Sequence, residues 1–184
     1  GGHMNPAVTF ALIISKNIGI VKGLIYIVAQ LAGATLGAAF THAISPVSAI
    51  NAVNDVNSNF TRGQAFFGET LMTFVLVYVV FSTAVRKRDN ISMVPLAIGF
   101  SVLLAHIVLI PITGCSINPA RSFGPALIEG KWDNHDIFWY SPLLGAFCAV
   151  IVHYLVTGEI NAGDQEKQGK GDSSGAVELD EDAV

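Results

Sequence analysis

Long stretches of this sequence carry no charged side chain, and that decides its solvent. A helix needs about 20 apolar residues, at 1.5 Å rise each, to cross roughly 30 Å of hydrocarbon. Residues 23–54 hold no Asp, Glu, Lys or Arg, with the apolar part at 23–44; residues 63–85 hold only Glu69; residues 90–120 and 137–158 hold none. The spacing predicts four spanning helices and an all-α membrane protein. Charged residues make up 13% of the chain, about half the share of an ordinary soluble domain, which argues against a soluble globular fold. Gly1 to Phe10 has neither the basic start nor the cleavage pattern of a secretory leader.

Basic residues in the short loops set the expected orientation. Lys16 and Lys22 lie before the first span and Arg86, Lys87 and Arg88 follow the second, whereas the opposite loops hold Arg62 and Lys131. Five against two puts the former group in the cytoplasm, with loops 45–62 and 113–136 outside. The sequon Asn59, Phe60, Thr61 then lies on the face where glycosylation occurs, and the sequon Asn90, Ile91, Ser92 does not. Two regions follow, a transmembrane one at 1–157 and a cytoplasmic tail at 158–184. From residue 159 eight acids stand against two lysines, a net −6, while the rest is +2. Having few large apolar side chains, the tail is expected to be disordered. No basic patch supports a nucleic-acid partner. Cys115 and Cys148 make no disulfide framework and have no metal-ligand spacing with the five histidines, so neither metal nor cofactor is expected.

Function is written in a repeat. Gly1 is followed after three residues (Gly2, His3, Met4) by Asn5, Pro6, Ala7, Val8, Thr9, Phe10; Gly114 is followed after three (Cys115, Ser116, Ile117) by Asn118, Pro119, Ala120, Arg121, Ser122, Phe123. Asn caps the free amides of a helix and Pro suits its first position, so a single Asn-Pro is an ordinary helix start. The paired blocks, 113 residues apart, point further. Internal repeats in polytopic proteins mark a site where the halves meet, often at helices that stop inside the bilayer. Two spans separate the copies after the first copy's own span, so the second enters from the opposite face and the pair is inverted. The carbonyls of Gly1 to Met4 and of Gly114 to Ile117 are then acceptor rails, with the amides of Asn5 and Asn118 donating at the centre. Such backbone is tolerated only where protein or water satisfies it. The arrangement suits a neutral hydrogen-bonding molecule in single file and opposes a cation, since each half-helix aims about +0.5 charge at the midplane.

The blocks "GGHMNPAVTF" and "GCSINPARSFGPA" resemble the two pore loops of the major intrinsic protein family, the aquaporins and aquaglyceroporins. "ETLMTFVLVYVVFS" and "IPITG" are similar to its plasma-membrane intrinsic, plant-type branch, and the likeness runs from Gly1 to about Thr157. It implies a water channel in the plasma membrane: six spans with two half-helices, of which four spans and both half-helices are present here, one pore per subunit and a homotetramer in the complete protein. The chain is thus expected to be a fragment lacking the first two spans, unable to enclose the pore alone. The resemblance puts His106, Cys115 and Arg121 in the outer constriction, with Cys115 lining the pore, and has Glu69 support a pore loop. It reads Ser122, Ala126, Phe138 and Trp139 as the water-selective set rather than the glycerol-conducting one. An interfacial aromatic belt would explain Phe138 and Trp139 equally. Met93 stands where the plant-type branch has a His, and a methionine cannot titrate.

Residue chemistry agrees at two points. Arg121 is the only charge between Asp89 and Glu129, and an arginine in mid-membrane costs from about 2.5 kcal/mol upward unless it faces a wet cavity. Glu69 in a span demands donors for the same reason. The competing readings are an aquaglyceroporin-like channel for small neutral solutes and a proton-coupled transporter using Glu69. One buried acid makes no relay. An intramembrane enzyme pairing Cys115 with His106 would lack a group to orient the base, so no enzyme is expected.

Overall fold

The computed structural model describes residues 2–44, 52–85 and 93–158. Gly1, Arg86, Lys87, Arg88, the Asn90 sequon and residues 159–184 of the tail lie outside them. Six α-helices make up the described chain: α1 Pro6–Ile14, α2 Ile20–Ile44, α3 Arg62–Val80, α4 Val94–Thr113, α5 Pro119–Glu129 and α6 Ile137–Thr157. A π-helical turn, Phe81–Val85, prolongs α3. Four of these, α2, α3 with its π turn, α4 and α6, are long and apolar enough to cross a membrane. They match the four charge gaps. The first begins at Ile20, so Lys22 lies inside the helix, where its long stem can carry the charge out to water.

Local chemistry sets the helix ends. Asn5 and Asn118 hold extended backbone and accept from Ala7 N at 2.8 Å and Ala120 N at 3.0 Å, with Pro6 and Pro119 at the first helical positions. Thr61 and Gln64 form a reciprocal capping box at the start of α3. Gly114 (φ 76°) and Gly130 (φ 66°) end α4 and α5 in the left-handed region that glycine enters without strain.

Helix α2 measures the fold like a ruler. Along its length Gly23 meets Ile13, Gln30 donates to Thr9 at 2.9 Å, Ala34 meets Gly124, and His42 pairs with Glu129 at 2.8 Å. Residue numbers fall along α1 and rise along α5 as α2 advances. The two short helices therefore point in opposite directions, N-terminus to N-terminus, beside the middle of α2. Their nine and eleven residues together span about 30 Å, the thickness of a bilayer's hydrocarbon.

Close packing is achieved with small residues, as expected where lipid supplies no hydrophobic drive between helices. A β-carbon on Gly124 would collide with the Ala34 carbonyl of α2, and one on Gly145 with the Thr70 carbonyl of α3. The core joins Ala7 and Ala11 of α1, Leu76 and Val77 of α3, Ala105 and Leu109 of α4, and Ala146 and Ala149 of α6, with Phe81 below α3. Outward faces are apolar: Phe40 is 70% and Ile44 83% exposed, which only lipid or another apolar surface can cover.

Candidate pore site

The sequence repeat reappears as a backbone repeat. Gly2 and Cys115 occupy matching places in the two blocks and both are left-handed (φ 71° and 57°); so are the next matching pair, Met4 and Ile117 (φ 53° and 46°). Non-glycine residues rarely adopt this backbone, and such residues persist where surroundings hold them. What holds Met4 and Ile117 is the junction itself. Asn5 Nδ2 donates to Ile117 O at 2.8 Å, and Asn118 Nδ2 donates to Met4 O at 2.9 Å. Each asparagine thus caps its own half-helix through Oδ1 and fastens the opposite loop through Nδ2. One N–H of each amide is thus committed across the junction.

Glu69 of α3, with no exposed surface, supports the second loop. Its Oε1 accepts from Thr113 Oγ1 at 2.6 Å and Ser116 N at 2.8 Å, and its Oε2 accepts from Ile117 N at 2.7 Å. Three donors satisfy a buried carboxylate that would otherwise be very costly. On the first loop, His3 packs against Tyr26 and its Nδ1 lies 3.1 Å from Thr9 Oγ1.

A cavity of about 630 Å³ runs along α1 from Lys22 and Asn17 past Val8, Leu12, Leu76 and Val102 to Asn5, Asn118, His106 and Arg121. A second, of about 600 Å³, lies between the loop Gly2 to Met4 and α2, reaching Gln30, Gly33, Ala34, Ala120 and Arg121. A third, of about 280 Å³, lies on the far side of Arg121 and is walled by Thr41, Ala52 and Glu129. Arg121 borders all three. Its NH1 donates to Ala52 O at 2.6 Å and its NH2 to Gly114 O at 3.4 Å. His106 Nδ1 donates to Val102 O at 2.8 Å, which leaves Nε2 an acceptor when the ring is neutral. Asn5, Asn118, His106 and Arg121 therefore share one chamber.

Five other expected site residues lie outside the walls of this chamber. Cys115 was expected on the pore wall, but it is fully buried and packs in the apolar core. Ser122 and Ala126 are buried, and Phe138 is buried against Ala65 and Ile137. Trp139 joins a half-buried aromatic cluster with Phe123 and His135 and donates through Nε1 to His135 Nε2 at 3.1 Å. Burial pushes the His135 imidazole below its ordinary range, and Asp136 pulls it partly back. Asn59 is exposed in a turn before α3, open to modification.

Two participants were missed by sequence reasoning. Asn54, 2% exposed, donates through Nδ2 to Thr113 O at 2.9 Å and accepts through Oδ1 from Ser122 Oγ at 2.8 Å. Its neighbour Ala52 holds Arg121. A polar residue in a Ser- and Asn-rich loop gives no periodicity to read; only its partners distant in sequence reveal it.

A sequence profile of the family described as major intrinsic protein matches residues 1–153. Aquaporin-4 of Rattus norvegicus is 45% identical over 159 residues, covering 85% of this chain and 49% of the relative. Aquaporin-5 of Ovis aries is 46% identical over 160 residues, covering 85% and 60%. Aquaporin-2 of Bos taurus is 45% identical over 159 residues, covering 85% and 59%. The chain thus spans about half the length of these relatives. Among solved structures, the aquaglyceroporin from Plasmodium falciparum superposes with a TM-score of 0.69 at 23% identity, over 84% of this chain and 71% of that one.

Proposed function

We propose, because this chain belongs to the major intrinsic protein family, that it carries the pore of a passive water channel that passes water in single file and turns back protons and other cations. The chain is a multi-pass membrane segment, and its relatives are channels rather than enzymes. The observation that carries the reading is the reciprocal bonding of Asn5 to Ile117 O and Asn118 to Met4 O, which presses two helix N-termini together beside a cavity. Each N-terminus bears about +0.5 charge, so a cation at the junction is repelled from both sides. Water is not. Its oxygen accepts from the second N–H of each asparagine amide, and its hydrogens then point away along the file. That orientation interrupts the run of like-directed hydrogen bonds along which a proton would travel.

Arg121 adds a fixed positive charge at the divide between the cavities, and His106 adds a polar group to the face of α4 that Val102 and Ile98 otherwise make apolar. Water selectivity over glycerol is read from Ser122, Ala126, Phe138 and Trp139, and the plant-type branch from "ETLMTFVLVYVVFS" and "IPITG". A homotetramer in the plasma membrane with the tail in the cytoplasm completes the reading. Glu69 argues against the coupled-transporter alternative, since three donors already occupy its oxygens and fix it as scaffold.

Stopped-flow shrinkage of vesicles holding the complete protein tests this, with Arg121→Val beside wild type. Water flux is expected in both, while the variant alone admits larger or charged solutes. Unchanged selectivity would show that Arg121 does not set the constriction.

A further inference from the structure

Arg121 is a long, flexible side chain whose head sits where Ala52 O is, and Ala52 has only a methyl group with which to hold its own place. Asn54, two residues on, supplies the anchor. Its amide ties the loop both to the last residue of α4, through Thr113 O, and to α5, through Ser122 Oγ. The contacts close into a ring. The Ser122 and Ser116 hydroxyls lie 2.5 Å apart; Ser116 N and Thr113 Oγ1 both donate to Glu69 Oε1; and the Thr113 carbonyl accepts from Asn54. Glu69 accepts from both sides of it: the Ser122 hydroxyl donates to Asn54 Oδ1, Asn54 Nδ2 to Thr113 O and the Thr113 hydroxyl to Glu69, while on the other side Ser116 N donates to Glu69 and the Ser116 hydroxyl, which also reaches Asn118 O at 3.2 Å, donates to Ser122.

We propose that Asn54 is a positioning residue for selectivity, and that Ser122 acts on the pore through Asn54, Ala52 and Arg121 rather than by lining it. The assignment rests on the water-channel reading. Neither Asn54 nor Ser122 is among the described residues that wall the cavities holding Arg121, and both are buried. A direct touch on the permeant is thus not their means of action. The ring also defines what residue 122 can be. Ser122→Asp would set a second acceptor against Asn54 Oδ1; the amide would have to turn over, presenting its oxygen to the Thr113 carbonyl and releasing the loop that fixes Ala52. Acceptor facing acceptor in a buried network is the costly case.

The test is the ratio of glycerol to water permeability in vesicles of the complete protein, for wild type, Asn54→Ala, Ser122→Ala and the pair together. Each single substitution is expected to raise the ratio roughly three- to tenfold, the range that one buried hydrogen bond supports. The double variant should not exceed the larger single effect, because both cut one circuit. A purely destabilised protein lowers both fluxes together and leaves the ratio alone, so an unchanged ratio in Ser122→Ala overturns the assignment, as do independent, multiplying effects. Should Asn54→Ala not reach the membrane, Ser122→Ala, which keeps the Thr113 anchor, decides it by itself. A wild-type protein without water flux contradicts the channel reading itself, and this assignment falls with it.

Discussion

At Asn5 and Asn118 one side chain both starts a helix and fastens it to its counterpart, because Oδ1 accepts at home while Nδ2 donates across the junction. The repeat in the sequence announced these two residues; it could not announce that Met4 and Ile117 would share a left-handed backbone to receive them. Cys115 shows the opposite limit. Its place in the motif suggested a pore wall, and the packing of the surrounding helices leaves it in the core instead. His135 offers a pH test. Burial holds its folded pKa below the unfolded value of about 6.5, so the folded state favours the neutral ring. The contribution is therefore complete above that pH and is lost as pH falls through the lowered value. Protonation also removes the acceptor for Trp139 Nε1. Acid should thus loosen the cluster of Phe123, Trp132 and Trp139, seen as a tryptophan fluorescence change below pH 6.5, and His135→Phe should abolish the change. A profile identical in that variant would remove His135 as the cause.

Among the helices, four spans were legible because absence of charge over 20 residues has few other meanings in a chain of this composition. The half-helices were legible because Asn-Pro is a start signal and each copy precedes a short apolar run. How they lean on α2 was not, since that depends on Gly124 meeting a carbonyl 90 positions earlier in the chain. Gly124→Val would force α5 away from α2, an overpacking cost of about 1–3 kcal/mol. Thermal unfolding in detergent should show the variant less stable by that amount, and selectivity should suffer with it because α5 carries Asn118 and Arg121. Unaltered stability would mean that this contact does not set the helix spacing. The His42 and Glu129 pair at the far end supplies the second point of attachment.

Taken together, the described chain turns the rule of soluble proteins outward: Phe40, Ile44, Leu103 and Ile107 face away from the core while Glu69, Asn54 and Ser122 lie within it. Those three buried polar groups are tolerated because each has found a partner, and together they fix the loops beside the cavity. If the proposed function holds, the opposed helix ends that meet at Asn5 and Asn118 admit uncharged molecules and refuse positive ones. The direct measurement is osmotic water flux and cation current recorded on the same membranes reconstituted with the complete protein. Water flux should stand far above that of bare lipid with no proton or potassium current above background; a cation current rising in step with the water flux would mean that the junction does not exclude positive charge.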